Sequence, residues 1–167
     1  KYKGEEDLPS EQDFFQKGSE QLVAGFSVYG PANSLILTCG NGTFGFVLHE
    51  EYGEFMLTQE NMQVPKTTNE FGINTSNHRF WDEATKEYVN DLLKGKDGVR
   101  KKDFNMRWFA AMVADAYKIL TRGGIYLYPK DNKIPNREGR LRLLYEGNPI
   151  AMIMENAGAK ASTGTQR

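Results

Sequence analysis

The stretch Gly123-Gly-Ile-Tyr-Leu-Tyr-Pro129, followed by Arg140-Leu-Arg-Leu-Leu-Tyr-Glu-Gly-Asn-Pro149, carries the pattern that decides the fold. Gly123 stands where a glycine ends a helix. Ile125–Tyr128 then has strand composition. Leu141–Tyr145 is read as a second, buried strand that carries Arg140 and Arg142 and delivers a carboxylate, Glu146. Asn148 is a natural N-cap and Pro149 a natural first helical residue, so a last helix is expected from about Pro149 to Asn156. A carboxylate at such a junction can hold a divalent cation, while nearby arginines and backbone N–H groups can hold phosphate.

Upstream, the longest helix is expected over about Asn105–Thr121, with Met106, Phe109, Val113, Tyr117 and Leu120 on its apolar side. Arg107 and Trp108 would then lie near its start, where an arginine suits phosphate or simply pairs with a neighbouring carboxylate. Asp82 can cap a shorter helix running through Tyr88 to Leu93. Leu22–Tyr29 reads as a strand, and Ser34–Thr38 and Thr43–Leu48 flank the hairpin signal Gly40-Asn41-Gly42. Glu54–Thr58 continues this meander. Residues 1–20 are polar and acidic and read as an exposed connection, leaving 21–167 as an α/β domain. Strands in succession, then helix, helix, strand, strand, helix imply an α/β fold with a mixed β-sheet flanked by helices.

A chain of 167 residues, 39% of them hydrophobic, can bury one core. The single Cys39 leaves no internal disulfide and suits a reducing compartment, the cytoplasm. No apolar run approaches the roughly 20 residues needed to span a bilayer, so no membrane role is expected. The absence of a starting Met and the abrupt C-terminus read as a piece of a longer protein. Net charge is −1 but unevenly spread: residues 1–60 hold three Lys and ten Asp or Glu, and residues 99–142 hold eleven Lys or Arg and four Asp or Glu. The basic half either draws an anionic substrate or forms a solvated face. Its cations are scattered and no nucleic-acid signature accompanies them, which argues against DNA or RNA.

The remaining candidates are small. Asn74-Thr-Ser-Asn-His78 can cradle an anion or form a turn. Of Tyr126 and Tyr128, one is expected in the core and the other offers its hydroxyl to a phosphate oxygen. His49 and His78 lack metal-ligand spacing, and Cys39 lacks a base partner.

Five stretches together resemble the C-terminal half of class I fructose-1,6-bisphosphatase, in its proteobacterial form: Val23–Gly30, Met106-Arg-Trp-Phe-Ala-Ala-Met-Val-Ala-Asp115, Gly123–Pro129, Leu141–Pro149 and Glu155-Asn-Ala-Gly158. The resemblance implies the layered α-β-α-β-α sugar phosphatase fold. It implies Mg²⁺-dependent hydrolysis of the 1-phosphate of fructose 1,6-bisphosphate to fructose 6-phosphate and phosphate, with Mn²⁺ as an alternative ion. By position, Asn74, Arg107 and Tyr128 match 6-phosphate ligands, Met112 and Arg140 lie against the sugar, and Glu146 matches a metal ligand. Arg107 would act across the interface of a homotetramer.

Three positions depart from the family pattern. Trp108 and Asn77 each replace a tyrosine of the substrate site, and Arg140 replaces a lysine. The family's Asp-Pro-Leu-Asp-Gly-Ser-Ser metal motif does not occur in this chain, so the chain alone is expected to be catalytically silent. A bisphosphatase that also takes sedoheptulose 1,7-bisphosphate and a non-catalytic sugar-phosphate-binding module are the other readings.

Overall fold

The computed structural model describes residues 10–167. The first part of the expected acidic connection lies outside the described residues; the rest holds two single turns of 3₁₀ helix, Glu11–Phe14 and Gly18–Glu20. Four strands follow as an antiparallel meander: β1 (Ala24–Val28), β2 (Ser34–Thr38), β3 (Thr43–His49) and β4 (Glu54–Gln59). Gly40 and Gly42 take φ of 91° and 123° in the β2–β3 turn, conformations that exclude most side chains. Thr38 and Thr43 face each other across that hairpin, and both are fully buried. The Thr43 hydroxyl donates to the Ile153 carbonyl at 2.8 Å, which ties the hairpin to the last helix.

A second, parallel sheet has the order β6–β5–β7, from β5 (Glu70–Ile73), β6 (Asn105–Met106) and β7 (Ile125–Leu127). The expected α/β class therefore holds, with the antiparallel and parallel strands divided between two sheets. Every residue of β5 is buried, so the strand shows no polar alternation and gives no periodic signal in the sequence.

Three helices separate and cover the sheets. α1 (Glu83–Leu93) starts at Asp82, whose carboxylate accepts from the Thr85 N–H at 2.7 Å. α2 (Met112–Arg122) ends at Gly123, whose φ of 73° lies in the region glycine favours. α3 (Asn148–Asn156) closes the chain's regular structure. One core joins Phe26 and Ile36 of the meander to Ala116, Ile119 and Leu120 of α2 and Ile150, Ile153 and Met154 of α3. A second joins Phe71 and Ile73 of β5 to Trp81 and to Val89 and Leu92 of α1. The result is a stack of sheet, helix pair, sheet and helix. Among the described residues no helix is long and apolar enough to cross a membrane.

Three expectations require correction. The long helix starts at Met112 and not Asn105, because Asn105 and Met106 pair with β5: the Asn105 N–H donates to Asn69 O at 2.7 Å and the Arg107 N–H to Phe71 O at 2.8 Å. Ala110, with φ of 61°, then breaks the chain direction before α2. Leu141–Tyr145 is not a buried strand. Leu143–Gly147 forms a wide helical turn, and Leu143 and Leu144 are 72% and 52% exposed. Asn148 does not cap α3 but is already helical, since that turn runs directly into the helix.

Candidate functional site

Parallel pairing aligns three strand ends. Ile73 pairs with Leu127 and Phe71 with Met106, so Asn74, Arg107 and Tyr128 each follow the carboxyl end of a parallel strand. Ligands of open α/β sheets bind at such ends, where loops are free to present side chains. Trp108 lies next to Arg107, and α2 begins nearby at Met112, a half-buried residue packed on the first core. Arg140 joins them because its N–H donates to the Tyr128 carbonyl at 3.3 Å. The fold thus brings Asn74, Trp108, Met112, Tyr128 and Arg140 toward one end of the parallel sheet, whereas the Arg107 side chain runs back to Glu70, the first residue of β5.

Asn74 caps the 3₁₀ helix Thr75–Phe80. Its Oδ1 accepts from the Ser76 N–H at 3.1 Å and lies 2.6 Å from the Ser76 hydroxyl, which donates to it. The Asn74 amide nitrogen makes no hydrogen bond among the described residues. Asn77 sits in the same helix, buried, its N–H donating to the Asn74 carbonyl at 3.1 Å.

Tyr126 and Tyr128 do not divide between core and solvent. Two positions apart, they share a side, as the strand period of two requires. Trp108 stacks on Tyr126 with ring centroids 5.1 Å apart and an interplanar angle of 20°, and meets Tyr128 edge-on at 5.3 Å and 86°. Burial, then the nearby negative charge of Asp115, with smaller contributions from Tyr128 and Glu146, pushes the Tyr126 hydroxyl well above its usual range. It stays protonated, as a donor, at any physiological pH.

Arg107 and Trp108 diverge. Trp108 joins the tyrosines, whereas Arg107 turns to Glu70, donating from Nε to Oε1 at 3.1 Å. The segment between them and α2 is anchored from below by a buried pair: Lys118 Nζ lies 3.1 Å from Asp115 Oδ1 and donates to the Arg107 carbonyl at 3.0 Å, and Asp115 Oδ2 accepts from the Phe109 N–H at 3.3 Å.

The Arg140 guanidinium is clamped by Asp131, with Nη2 2.7 and 2.8 Å from the two carboxylate oxygens and Nε 3.1 Å from Oδ2. Burial raises the Asp131 pKa, but hydrogen bonds from Arg140 and from the Lys133 N–H, with the arginine's charge, outweigh it and hold the carboxyl below its usual value. Arg140 is thus kept beside Tyr128 with much of its charge already balanced.

Glu146 accepts from the Arg142 N–H at 2.8 Å and from Arg142 Nη1 at 2.9 Å, which closes the wide turn. Among the described residues no group of three or more His, Cys, Asp or Glu side chains comes together. A single carboxylate with both oxygens engaged does not by itself fit a divalent-metal centre, which takes several oxygen ligands. His49 stacks on Tyr52 and His78 meets Trp81 edge-on, both as packing groups.

Glu70, Asp115, Lys118 and Asp131, the charged groups that hold the arginines and the Arg107–Phe109 segment in place, form no motif in the sequence. Asp115 carried a usable signal, a carboxylate three residues before Lys118 in the middle of an apolar helix. Glu70 and Asp131 are lone carboxylates in loop-like sequence and carried none.

The C-terminal domain of fructose-1-6-bisphosphatase, as a family, matches residues 64–167, and its N-terminal domain matches residues 1–60. A fructose-1,6-bisphosphatase class 1 from Hydrogenophilus thermoluteolus is 58% identical over 152 residues, covering 91% of this chain and 42% of that protein. The crystal structure of Leishmania major fructose-1,6-bisphosphatase in holo form superposes with a TM-score of 0.79 at 40% identity, over 86% of this chain and 46% of that one. The chain thus spans less than half the length of these two relatives. With the layered fold, the shared strand ends and these matches in hand, the chain belongs to the fructose-1,6-bisphosphatase family.

Proposed function

We propose that this chain forms the sugar-phosphate-binding part of a fructose-1,6-bisphosphatase, which hydrolyses the 1-phosphate of fructose 1,6-bisphosphate to fructose 6-phosphate and phosphate. The observation that carries the reading is the placement of Asn74, Trp108 and Tyr128 together at the carboxyl ends of the parallel strands. An amide, a phenol hydroxyl and a guanidinium suit a dianionic phosphate, with Trp108 walling the site against Tyr128, while Met112 offers an apolar surface to a sugar ring. Asn77 and Arg140 complete the set of ligands. Trp108 and Arg107 point to different neighbours, which supports Arg107 serving a second copy of the chain within a homo-oligomer, a tetramer by family analogy.

Glu146 would contribute one ligand to a divalent ion, Mg²⁺ with Mn²⁺ as the alternative. Among the described residues no cluster of further acidic or imidazole groups joins it, and this chain alone is expected not to turn over substrate. The dependence on a divalent ion rests on family membership rather than on the donor set described here. Cytoplasmic location and a place in sugar-phosphate metabolism follow from the same membership.

Calorimetric titration with fructose 6-phosphate tests the reading, run on the parent chain and on Arg107→Ala at low and high chain concentration. Binding in the millimolar range or better that strengthens with chain concentration, and strengthens less in Arg107→Ala, is the expected result. An absence of binding at both concentrations would refute the site. Phosphate release from fructose 1,6-bisphosphate by this chain alone would refute its dependence on ligands from elsewhere.

A further inference from the structure

Glu70 is the first residue of the central parallel strand and is only 4% exposed, yet it meets two arginines from different elements. Its Oε1 accepts from Arg107 Nε at 3.1 Å and also from Arg122 Nη2, at the end of α2. Its Oε2 is buried and has no hydrogen-bond partner among the described residues. A buried acceptor left without a partner costs stability, so packing economy does not explain the arrangement.

The way Glu70 meets Arg107 is specific. A guanidinium presents five N–H donors in a rigid plane, and an anion can take either the edge containing Nε or the edge formed by the two terminal nitrogens. A carboxylate competing for Arg107 would use two parallel bonds, as Asp131 does with Arg140. Glu70 takes Nε alone. Among the described residues the terminal nitrogens of Arg107 carry no hydrogen bond, and the side chain is 48% exposed.

The backbone of Arg107 is fixed as well, its N–H bonded to Phe71 O and its carbonyl to Lys118 Nζ. Both ends of the side chain's root are therefore held while its two-pronged edge stays unbonded among the described residues. Two guanidiniums against one carboxylate also leave the cluster net positive, so Glu70 orients Arg107 without cancelling the attraction for phosphate.

We propose that Glu70, with Arg122 as its second counter-ion, is a positioning residue for Arg107: it fixes Nε so that the terminal nitrogens are presented ready for bidentate contact with a sugar phosphate. The proposal rests on the phosphate-binding role of Arg107 given above. Glu70 itself touches no ligand. Ordering a long side chain in advance removes an entropic cost from binding, and the expected effect of its loss is about three- to tenfold in affinity.

The test is a double-mutant cycle on the full 167-residue chain, titrated with fructose 6-phosphate at the high concentration defined above. Glu70→Gln keeps the volume and removes the charge, and Arg107→Ala removes the presented group. Glu70→Gln is expected to weaken binding about three- to tenfold, and the double variant to bind no more weakly than Arg107→Ala. The Arg107 Nε–Hε resonance, read by NMR without ligand, is expected to exchange faster in Glu70→Gln, whose neutral amide oxygen accepts more weakly than the carboxylate. Unchanged exchange would overturn the proposal, as would additive losses. Tighter binding by Glu70→Gln would overturn it too, because Glu70 would then compete with phosphate for Arg107. If Arg107→Ala bound as well as the parent chain, the phosphate role of Arg107 itself would fall, and the positioning of it with it.

Discussion

Lys118 and Asp115, one helical turn apart on α2, form an ion pair of 3.1 Å in which both side chains are almost wholly removed from solvent. A charge pair so deeply buried loses its hydration, and mutual attraction alone seldom makes up the difference. Here the pair also satisfies two backbone groups of the Arg107–Phe109 segment, the Arg107 carbonyl and the Phe109 N–H. Its work is to fasten an irregular segment to a regular helix.

Lys118→Met tests that fastening. Removing one partner strands a buried carboxylate and should cost about 3–5 kcal/mol of stability. Urea unfolding measures this directly. A loss below 1 kcal/mol would mean that the segment is held by its pairing with β5 alone.

Gly72 provides an independent test of the same segment. A Cβ built there would stand 2.7 Å from the Arg107 carbonyl oxygen, a backbone atom that can yield only if the strand itself shifts. Gly72→Ala should therefore displace the Arg107 carbonyl from Lys118 and destabilise the chain by about 1–3 kcal/mol. Fructose 6-phosphate affinity should fall with it at high chain concentration. Normal stability and affinity together would show that this approach has no influence on Arg107.

The parts of this fold that local chemistry dictates were readable from the sequence. Gly40 and Gly42 mark the hairpin because their positive φ admits little else, and Asp82 marks a helix start because its carboxylate serves the Thr85 N–H. What escaped was decided by tertiary contact. Asn105 and Met106 have a helix-compatible pattern, but β5 offers them backbone partners and the sheet wins. Leu143 and Leu144 look like core residues, yet Glu146 reaches back to the Arg142 N–H and curls the segment into a turn that leaves them exposed. The site followed the same rule. Asn74, Arg107 and Tyr128 are assigned to the site by family resemblance, whereas Glu70 and Asp131 become meaningful only once the chain brings arginines to them.

The Asp131–Arg140 clamp sets a pH dependence. The folded-state pKa of Asp131 lies below its unfolded value of about 3.9, so its contribution to stability is complete above that value and is lost as the pH falls through the folded pKa. Asp131→Ala should cost about 3–5 kcal/mol at neutral pH, since it strands a largely buried guanidinium. The gap between parent and variant should shrink on acidification. Urea midpoints measured across a pH series check this, and a gap that stays constant into strong acid would contradict the assignment.

Metal should leave this chain's stability unchanged. The Glu146 carboxylate is engaged by Arg142, and no second acidic or imidazole cluster exists among the described residues to share a cation. Millimolar MgCl₂ or EDTA should therefore not move the melting temperature. An increase of several degrees with Mg²⁺ would reveal selective binding to the folded chain and a ligand set beyond Glu146.

Trp108 allows the proposed phosphate site to be strengthened. Its indole offers a single N–H, and its ring is committed to Tyr126 and Tyr128. Trp108→Tyr keeps an aromatic ring over Tyr126 and supplies a hydroxyl that can reach outward. A hydrogen bond to a charged group contributes about 1.5–3 kcal/mol, so fructose 6-phosphate affinity should rise tenfold or more. The smaller ring covers less of Tyr126, and stability should drop by about 0.5–1.5 kcal/mol. Calorimetry and thermal melting read the two effects separately. Weaker binding with unchanged stability would mean that the indole N–H already makes the contact and that a phenol in its place reaches the phosphate less well.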